Sequence, residues 1–447
     1  MSAAIAQPPA RPVAVDTDTT AGNYFVSNYP PFSFWKPERV GDAEAALDRP
    51  PAPGTPLGLY LHIPFCRKRC HFCYFKVYTD KDSTAIKAYL DLALRELRLY
   101  AARPFIGGRK PQFVYFGGGT PSYLSEAQLE HLTDEMKALL PWDAAEEVTF
   151  ECEPGTLSDH KLKTIRDLGV TRLSLGVENF NDHILDINGR AHRSKEIRRA
   201  YYFARELDFP QINIDLIAGM VEETEANWRE CVRQTIELAP DSVTIYQMEI
   251  PFNTHIYQEM KAAGRLVAPV AGWQTKRAWV DYAFAELENA GYCVASAYTA
   301  VRDPARTRFV YRDSLWQGAD LVGLGVASFS HVGGTHFQNQ HDFEPYVALL
   351  RENRLPLYRA LTPSNEERMI RELVLQFKLG HVSRGYFQQK FGVDLLQRFT
   401  EPLRTWSSLG LAHSNGDAVA FTREGLLQAD RLVRELFLPE HRNARYA

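Results

Sequence analysis

Cysteine is scarce in this chain, six residues in 447, and no apolar run reaches the about 18 residues that a membrane-spanning helix needs. The first scarcity excludes a disulfide scaffold. The second leaves no candidate transmembrane segment. An excess of one charge is missing too: 51 Lys and Arg face 55 Asp and Glu, a net charge of -4, and no long basic run occurs. No nucleic-acid partner is therefore expected. The opening MSAAIAQPPARPVAVDTDTT lacks the basic-then-apolar order of a secretory leader, so a cytoplasmic location is the expectation.

What the chain does have is rhythm. Apolar strand-like runs stand at 57–63, 112–116, 147–152, 172–178, 212–219 and 242–250. Amphipathic helical stretches separate them. In STAIKAYLDLALRELRLY (83–100), Ile86, Leu90, Ala93, Leu94 and Leu97 fall on one stripe, with Ser83 or Thr84 as the expected cap. Six strand–helix repeats predict an α/β fold, a parallel sheet covered by helices. Six units would leave a (β/α)6 barrel open at one side; a doubly wound order is the alternative that the pattern alone leaves open.

This rhythm divides the chain. Residues 1–56 form an N-terminal extension, whose first 22 or so residues are Ala-, Pro-, Thr- and Asp-rich and expected to be disordered. An aromatic segment follows, NYFVSNYPPFSFWKP (23–37), read as an arm packed on the body or a lid over an active site. The core spans 57–290, a core extension with a substrate-side segment 291–361, and a more helical module 362–447. Near the end, Asn415-Gly416 predicts a hairpin turn, followed by a helix, which suggests a winged-helix-like unit.

Three of the six cysteines crowd into HIPFCRKRCHFCYF, as Cys66, Cys70 and Cys73. Thiolates suit zinc or iron–sulfur clusters, but structural zinc wants four ligands and no second paired knuckle exists. Cys152, Cys231 and Cys293 stand alone and read as small buried hydrophobes. Three thiolates on a four-iron cluster leave one iron open to an exogenous chelator. FGGGTPS (116–122) ends the second strand, and its glycines allow close approach of backbone to a ligand. Glu151, Glu178 and Asp215 lie in or at the ends of later strands, and Arg190 follows in NGRAH; ligand sites of β/α folds gather at C-terminal strand ends.

Cys-x3-Cys-x2-Cys after a first strand resembles the signature of the radical S-adenosylmethionine (SAM) superfamily. YLHIPFC, FGGGTPS, RLSLGVENFN, NIDLIAG and DLVGLGVASFS resemble, in order and spacing, the oxygen-independent coproporphyrinogen III oxidase (HemN-like) family over most of residues 57–440. The resemblance implies an open partial barrel. It also implies a 4Fe-4S cluster on Cys66, Cys70 and Cys73, and one or two molecules of SAM cleaved to a 5′-deoxyadenosyl radical. Tyr60, Phe75, Gly117, Gly118, Gly119, Thr120, Glu151, Glu178, Arg190 and Asp215 would surround SAM, and LGLGVASFS would lie near the substrate. Glu178 stands where the family typically has Gln; a carboxylate accepts ribose hydroxyl hydrogen bonds but donates none.

Family members differ in outcome. The decarboxylases resemble one another in a fourth cysteine where this chain has Phe75. The haem chaperones carry His-Asn-x-x-Tyr-Trp, to which YRDSLW (311–316) corresponds without the His and Asn. Methylases and cyclopropanases share the three-cysteine form. That form favours methyl or methylene transfer to an aromatic or unsaturated carbon, as in a quinone, tetrapyrrole or heteroaromatic ring. The expected partners are such a small molecule and a one-electron donor such as flavodoxin or ferredoxin, with Lys68 and Arg69 on the cluster loop available to an acidic surface.

Overall fold

The computed structural model describes residues 25–251, 254–262 and 270–444. Helix α1 (Val40–Leu47) precedes strand β1 (Leu57–Ile63). The strands β2 (Phe113–Gly118), β3 (Glu147–Cys152), β4 (Arg172–Glu178), β5 (Gln211–Ala218) and β6 (Ser242–Gln247) then follow side by side in chain order. All neighbouring pairs among them are parallel. Sequential order rules out the doubly wound alternative and gives the curved, barrel-like arrangement.

Helices α2 (Ser83–Ala101), α3 (Glu126–Leu139), α4 (Asp159–Asp167), α5 (Asp182–Ile187), α6 (Ser194–Glu206) and α7 (Glu225–Leu238) make the crossovers. The expected stripe of α2 is buried, but its cap is Asp82, whose carboxylate accepts from Ala85 N, rather than Ser83 or Thr84. Helices α8 (His255–Ala262) and α9 (Trp273–Asn289) come after β6.

Alternation along the strands sets the layers. Leu59, Leu61, Val114, Phe116, Leu173, Leu175, Ile212 and Ile214 face outward into one apolar core beneath the helices. The intervening residues are polar: Tyr115, Glu151, Arg172, Ser174, Asp215 and Thr244. Barrel interiors are ordinarily packed with branched aliphatic side chains. Here the polar faces surround a cavity of about 390 Å³.

The sheet does not stop at six strands. After β7 (Cys293–Val294) and β8 (Thr299–Val301), the chain crosses to the opposite edge, where β9 (Asp320–Leu324) pairs parallel with β1. β10 (Phe329–Val332), β11 (Thr335–Asn339) and β12 (Leu357–Leu361) extend that edge antiparallel, while β8 and β7 extend the β6 edge. Among the described residues the sheet thus has twelve strands and two free ends, an open barrel. The glycine-rich run 318–334 is therefore sheet. Cys152 and Cys231 are buried as expected; Cys293 is exposed, because it sits on the edge strand β7.

Helix α10 (Val310–Trp316) lies between β8 and β9, α11 (Phe343–Arg351) between β11 and β12, and α12 (Asn365–Phe377) opens the C-terminal region. There β13 (His381–Ser383), β14 (Ala412–Ser414) and β15 (Ala418–Phe421) form a separate sheet in the order β13-β15-β14. The predicted hairpin is present, with Asn415 N donating to Ala418 O and Gly416 at φ 95°. A second apolar core unites this region with Val26, Tyr29 and Trp316.

The aromatic segment packs, from Phe25 onward; Asn23 and Tyr24 lie outside the described residues. Lys378, fully buried, donates to the Val26 carbonyl at 2.6 Å and lies 3.7 Å from the centre of the Phe25 ring. Tyr29 meets His441 Nδ1 at 2.6 Å, and Trp35 stacks on His336.

Candidate active site

The loop between β1 and α2 carries the cysteines at the C-terminal end of the sheet. It is pinned where it leaves the strand, Cys66 N donating to Tyr78 O and Tyr78 N to Pro64 O. It is pinned again across the barrel, where His71 N donates to Asn188 O and Arg67 Nη2 to Ala191 O. Cys66, Cys70 and Cys73 all line the central cavity. Thr120 Oγ1 donates to Cys66 Sγ at 3.3 Å, and Arg190 Nη1 to Cys70 Sγ at 3.1 Å. Burial pushes the Cys66 thiol up to about 11 and the Cys73 thiol up to about 12.

The glycine run is built into this loop. Gly119 N donates to Ile63 O, and a Cβ at Gly119 would come within 2.8 Å of that oxygen and 3.0 Å of Cys66 Sγ. Gly118, at φ 111°, turns its N–H onto Glu151 Oε2 at 3.0 Å, in a conformation that a side chain would strain. These two and Thr120 line the cavity. Gly117 sits one layer behind, where a Cβ would run into Tyr115 and approach Glu151.

Four charged side chains converge from separate segments. Glu151 Oε1 accepts from Tyr115 OH at 2.6 Å. Asp215 accepts from Ser174 Oγ and Asn213 Nδ2, each at 2.9 Å. Glu178, at φ 65° beside a register shift of β4, sits in a left-handed conformation uncommon for a non-glycine residue. Its carboxylate lies 3.5 Å from Arg190 Nη2, which also donates to Gly176 O at 2.6 Å. Burial pushes the Glu151 and Glu178 carboxyls each up to about 7, and raises Asp215 as well.

Of the residues expected around SAM, the structure brings Gly118, Gly119, Thr120, Glu151, Glu178, Arg190, Asp215 and half-exposed Phe75 to the cavity. Tyr60 is not among its lining residues. It stands one inward position below His62, to whose Nδ1 its hydroxyl bonds at 3.0 Å, and stacks against Tyr115. LGLGVASFS is displaced too: Gly325 N is taken up by buried Glu96, and the segment packs on α2 rather than facing the cavity. The sequence reading missed Tyr115, Arg172, Ser174, Thr244 and Tyr246, all cavity-lining strand residues. Reading the strands with period two would have found them. Phe25, Trp273, Tyr298 and Asp430 also line the cavity, and no local pattern marks them.

The chain matches the family model for the radical SAM superfamily over residues 60–235. Those residues are a radical SAM domain. Radical SAM proteins use a 4Fe-4S cluster and SAM, and the three convergent thiols, with glycines leaving room beside Cys66, fit such a cluster. The heme chaperone HemW of Bacillus subtilis is 29% identical over 370 residues, covering 82% of this chain and 96% of that protein. The oxygen-independent coproporphyrinogen III oxidase of Escherichia coli is 27% identical over 394 residues, 84% of each chain. The solved structure of coproporphyrinogen III oxidase (HemN) from Escherichia coli superimposes with a TM-score of 0.79 at 24% identity, covering 92% of this chain and 96% of that one. The chain is therefore HemN-like in fold. Among the described residues no helix is long and apolar enough to cross a membrane.

Proposed function

We propose that this chain is a HemN-like radical SAM enzyme that transfers a methyl or methylene group to an unsaturated or aromatic carbon. Cys66, Cys70 and Cys73 hold the 4Fe-4S cluster, and Gly118, Gly119, Thr120, Glu151, Glu178, Arg190 and Asp215 orient SAM. When bound on these thiols, the cluster would supply the one electron needed to cleave SAM to methionine and a 5′-deoxyadenosyl radical. The protein supplies position, charge and exclusion of water.

The observation that carries the substrate class is the β6 side of the cavity. Its wall is Phe25, Tyr246, Met248, Trp273 and Tyr298, with the carboxyls of Glu249 and Asp430. The Lys and Arg among the described lining residues belong elsewhere: Arg67, Lys68 and Arg69 to the cluster loop, Arg190 behind it, and Arg172 to the floor. A substrate bearing several propionates would set them against like charge in a desolvated wall. A flat, apolar ring meets aromatic faces instead. This weighs against decarboxylation of a porphyrinogen. Haem binding in the manner of the chaperone is disfavoured by α10, which presents Tyr311 to the Tyr60–Tyr115 stack and has no histidine. Exposed Lys68 and Arg69 at the cluster loop suit an acidic one-electron donor of the flavodoxin or ferredoxin kind.

The test is anaerobic reconstitution, then incubation with dithionite, methyl-labelled SAM and a panel of quinones, tetrapyrroles and heteroaromatics. Label in a product is the expected result. Carbon dioxide from coproporphyrinogen, or tight haem binding with no turnover, would overturn the proposal. Reconstituted protein should hold about four iron and four sulfide per chain. The triple Cys66, Cys70 and Cys73 to Ala variant should hold none and make no 5′-deoxyadenosine.

A further inference from the structure

The floor of the cavity holds a cation whose charge is not taken up by any close ion pair. Arg172 is the first residue of β4; it is only 2% exposed and lines the cavity between β3 and β5. Its guanidinium lies 4.0 Å from the centre of the Phe309 ring. Among the described residues no carboxylate comes within 4.0 Å of it, and its Nη1 has no hydrogen-bond partner. Its Nε reaches Gln211, at 3.3 Å, in the amide orientation that satisfies both sides. A buried guanidinium in that state is costly unless its field acts on neighbouring charge.

The neighbours are acids. The ionisable groups facing this interior are Tyr60 and His62 from β1, Tyr115 from β2, Glu147 and Glu151 from β3, and Glu178 from β4. Asp215 of β5, Tyr246 of β6, Tyr311 of α10 and Arg190 join them, and the rest of the lining adds Arg67, Lys68, Arg69 and the thiols of the cluster loop, Tyr74, Cys152, Glu153, Glu249, Tyr298 and Asp430. Glu147 accepts from Val310 N, Tyr311 N and the Thr149 hydroxyl, and the Arg172 guanidinium is the leading influence against the burial that raises it. Arg190 is spent on Cys70, Gly176 and Glu178. Burial holds His62 neutral by pushing it down to about 4. Arg172, on the strand between those of Glu151 and Asp215, is thus the cation placed to balance both, along with Glu147.

We propose that Arg172 is a positioning residue that favours the ionised forms of Glu151 and Asp215, so that they can accept hydrogen bonds from the ammonium and hydroxyl groups of SAM. This rests on the reading that the cavity binds SAM. Burial raises both carboxyls, and the guanidinium opposes that rise in each, as the largest opposing influence on Asp215 and on Glu151 after the bonds from Tyr115 and Gly118. Without it both carboxyls would rise further and hold their protons to higher pH. A protonated carboxyl loses the charge that attracts the ammonium and half of its acceptor capacity.

Two measurements on Arg172→Met, with Arg172→Gln beside it should the first fail to fold, test the idea. Equilibrium dialysis of the reconstituted proteins against radiolabelled SAM from pH 6.5 to 9.5 should show affinity lowered about tenfold or more at pH 7 and recovering towards wild type by pH 9. Arg172→Lys should stay near wild type throughout. In the cluster-free protein, buried acids with raised values favour the folded state only while protonated. Melting temperature should therefore fall with rising pH between pH 7 and 9 more steeply in the variant than in wild type. Adding Glu151→Gln and Asp215→Asn should remove most of the difference, and Glu147→Gln the remainder. Equal loss of affinity at every pH, or superimposable melting profiles, would overturn the role of Arg172. Failure of the wild-type protein to bind SAM would instead sink the reading of the cavity, and the melting profiles would still judge Arg172.

Discussion

Arg190 and Cys70 lie 120 residues apart in sequence, yet the guanidinium of one donates to the sulfur of the other at 3.1 Å. The same guanidinium fixes the Gly176 carbonyl and faces Glu178. One side chain thereby ties the cysteine loop to the end of β4.

Replacing Arg190 with Ala should leave iron and sulfide content near wild type, because all three thiols remain. SAM affinity should fall by about ten- to a hundredfold, the worth of a lost charge-assisted hydrogen bond in a dry site. Arg190→Lys should recover little, since one ammonium cannot serve Cys70 and Gly176 together. Iron assay and SAM dialysis on the same samples separate the two effects.

Gly119→Ala should be the most damaging single methyl in the glycine run. It would press on the Ile63 carbonyl and the Cys66 sulfur at once, and neither backbone nor cluster ligand can yield cheaply. Expected are less than half of the wild-type iron after reconstitution and a loss of about 1–3 kcal/mol in stability, read by chemical denaturation.

The arm should come loose when its buried anchor is removed. Lys378→Met forfeits the bond to Val26 O and strands Asp430, which accepts from Val26 N and lies 3.9 Å from the ammonium. Limited proteolysis should show cleavage within residues 25–36 rising about tenfold, with cuts elsewhere unchanged.

Glu96 makes a pH dependence. Its buried carboxyl accepts from Gly325 N, Asn339 Nδ2 and Tyr346 OH, and burial pushes it up from 4.5 to about 8. The folded chain therefore holds a proton that the unfolded chain releases. The sign follows: this contribution is complete below pH 4.5, declines as pH rises, and is gone above about 8. Melting temperature should drop across that window. Glu96→Gln, though less stable at pH 5, should show a shallower drop by one proton's share, about 1.4 kcal/mol per pH unit.

Strands β1, β3 and β4 were legible to the residue, because a strand buried on its outer face and bounded by turns leaves a clear apolar run. The cysteine loop and glycine turn were legible because their spacing serves local geometry. Tyr60 was misplaced for the opposite reason: its role depends on Tyr115 and His62 standing above it, which no linear pattern records. Asp430 and Phe25 reach the cavity through packing between distant segments, and Glu96 hides within a helix that otherwise reads as amphipathic. β9 was missed because glycines dilute its apolar signal and its partner β1 lies over 250 residues earlier.

The arm also imposes an order on biogenesis. Val26 is held by Lys378 and Asp430, and Tyr29 by His441, 412 residues later. On the ribosome, residues 25–36 emerge some hundreds of residues ahead of their docking surface. The cysteine loop and the strands beneath it can fold in the interval, with the Phe25 wall of the cavity still open. Translation itself thus leaves a period in which a nascent cavity is accessible from a side that the finished chain closes.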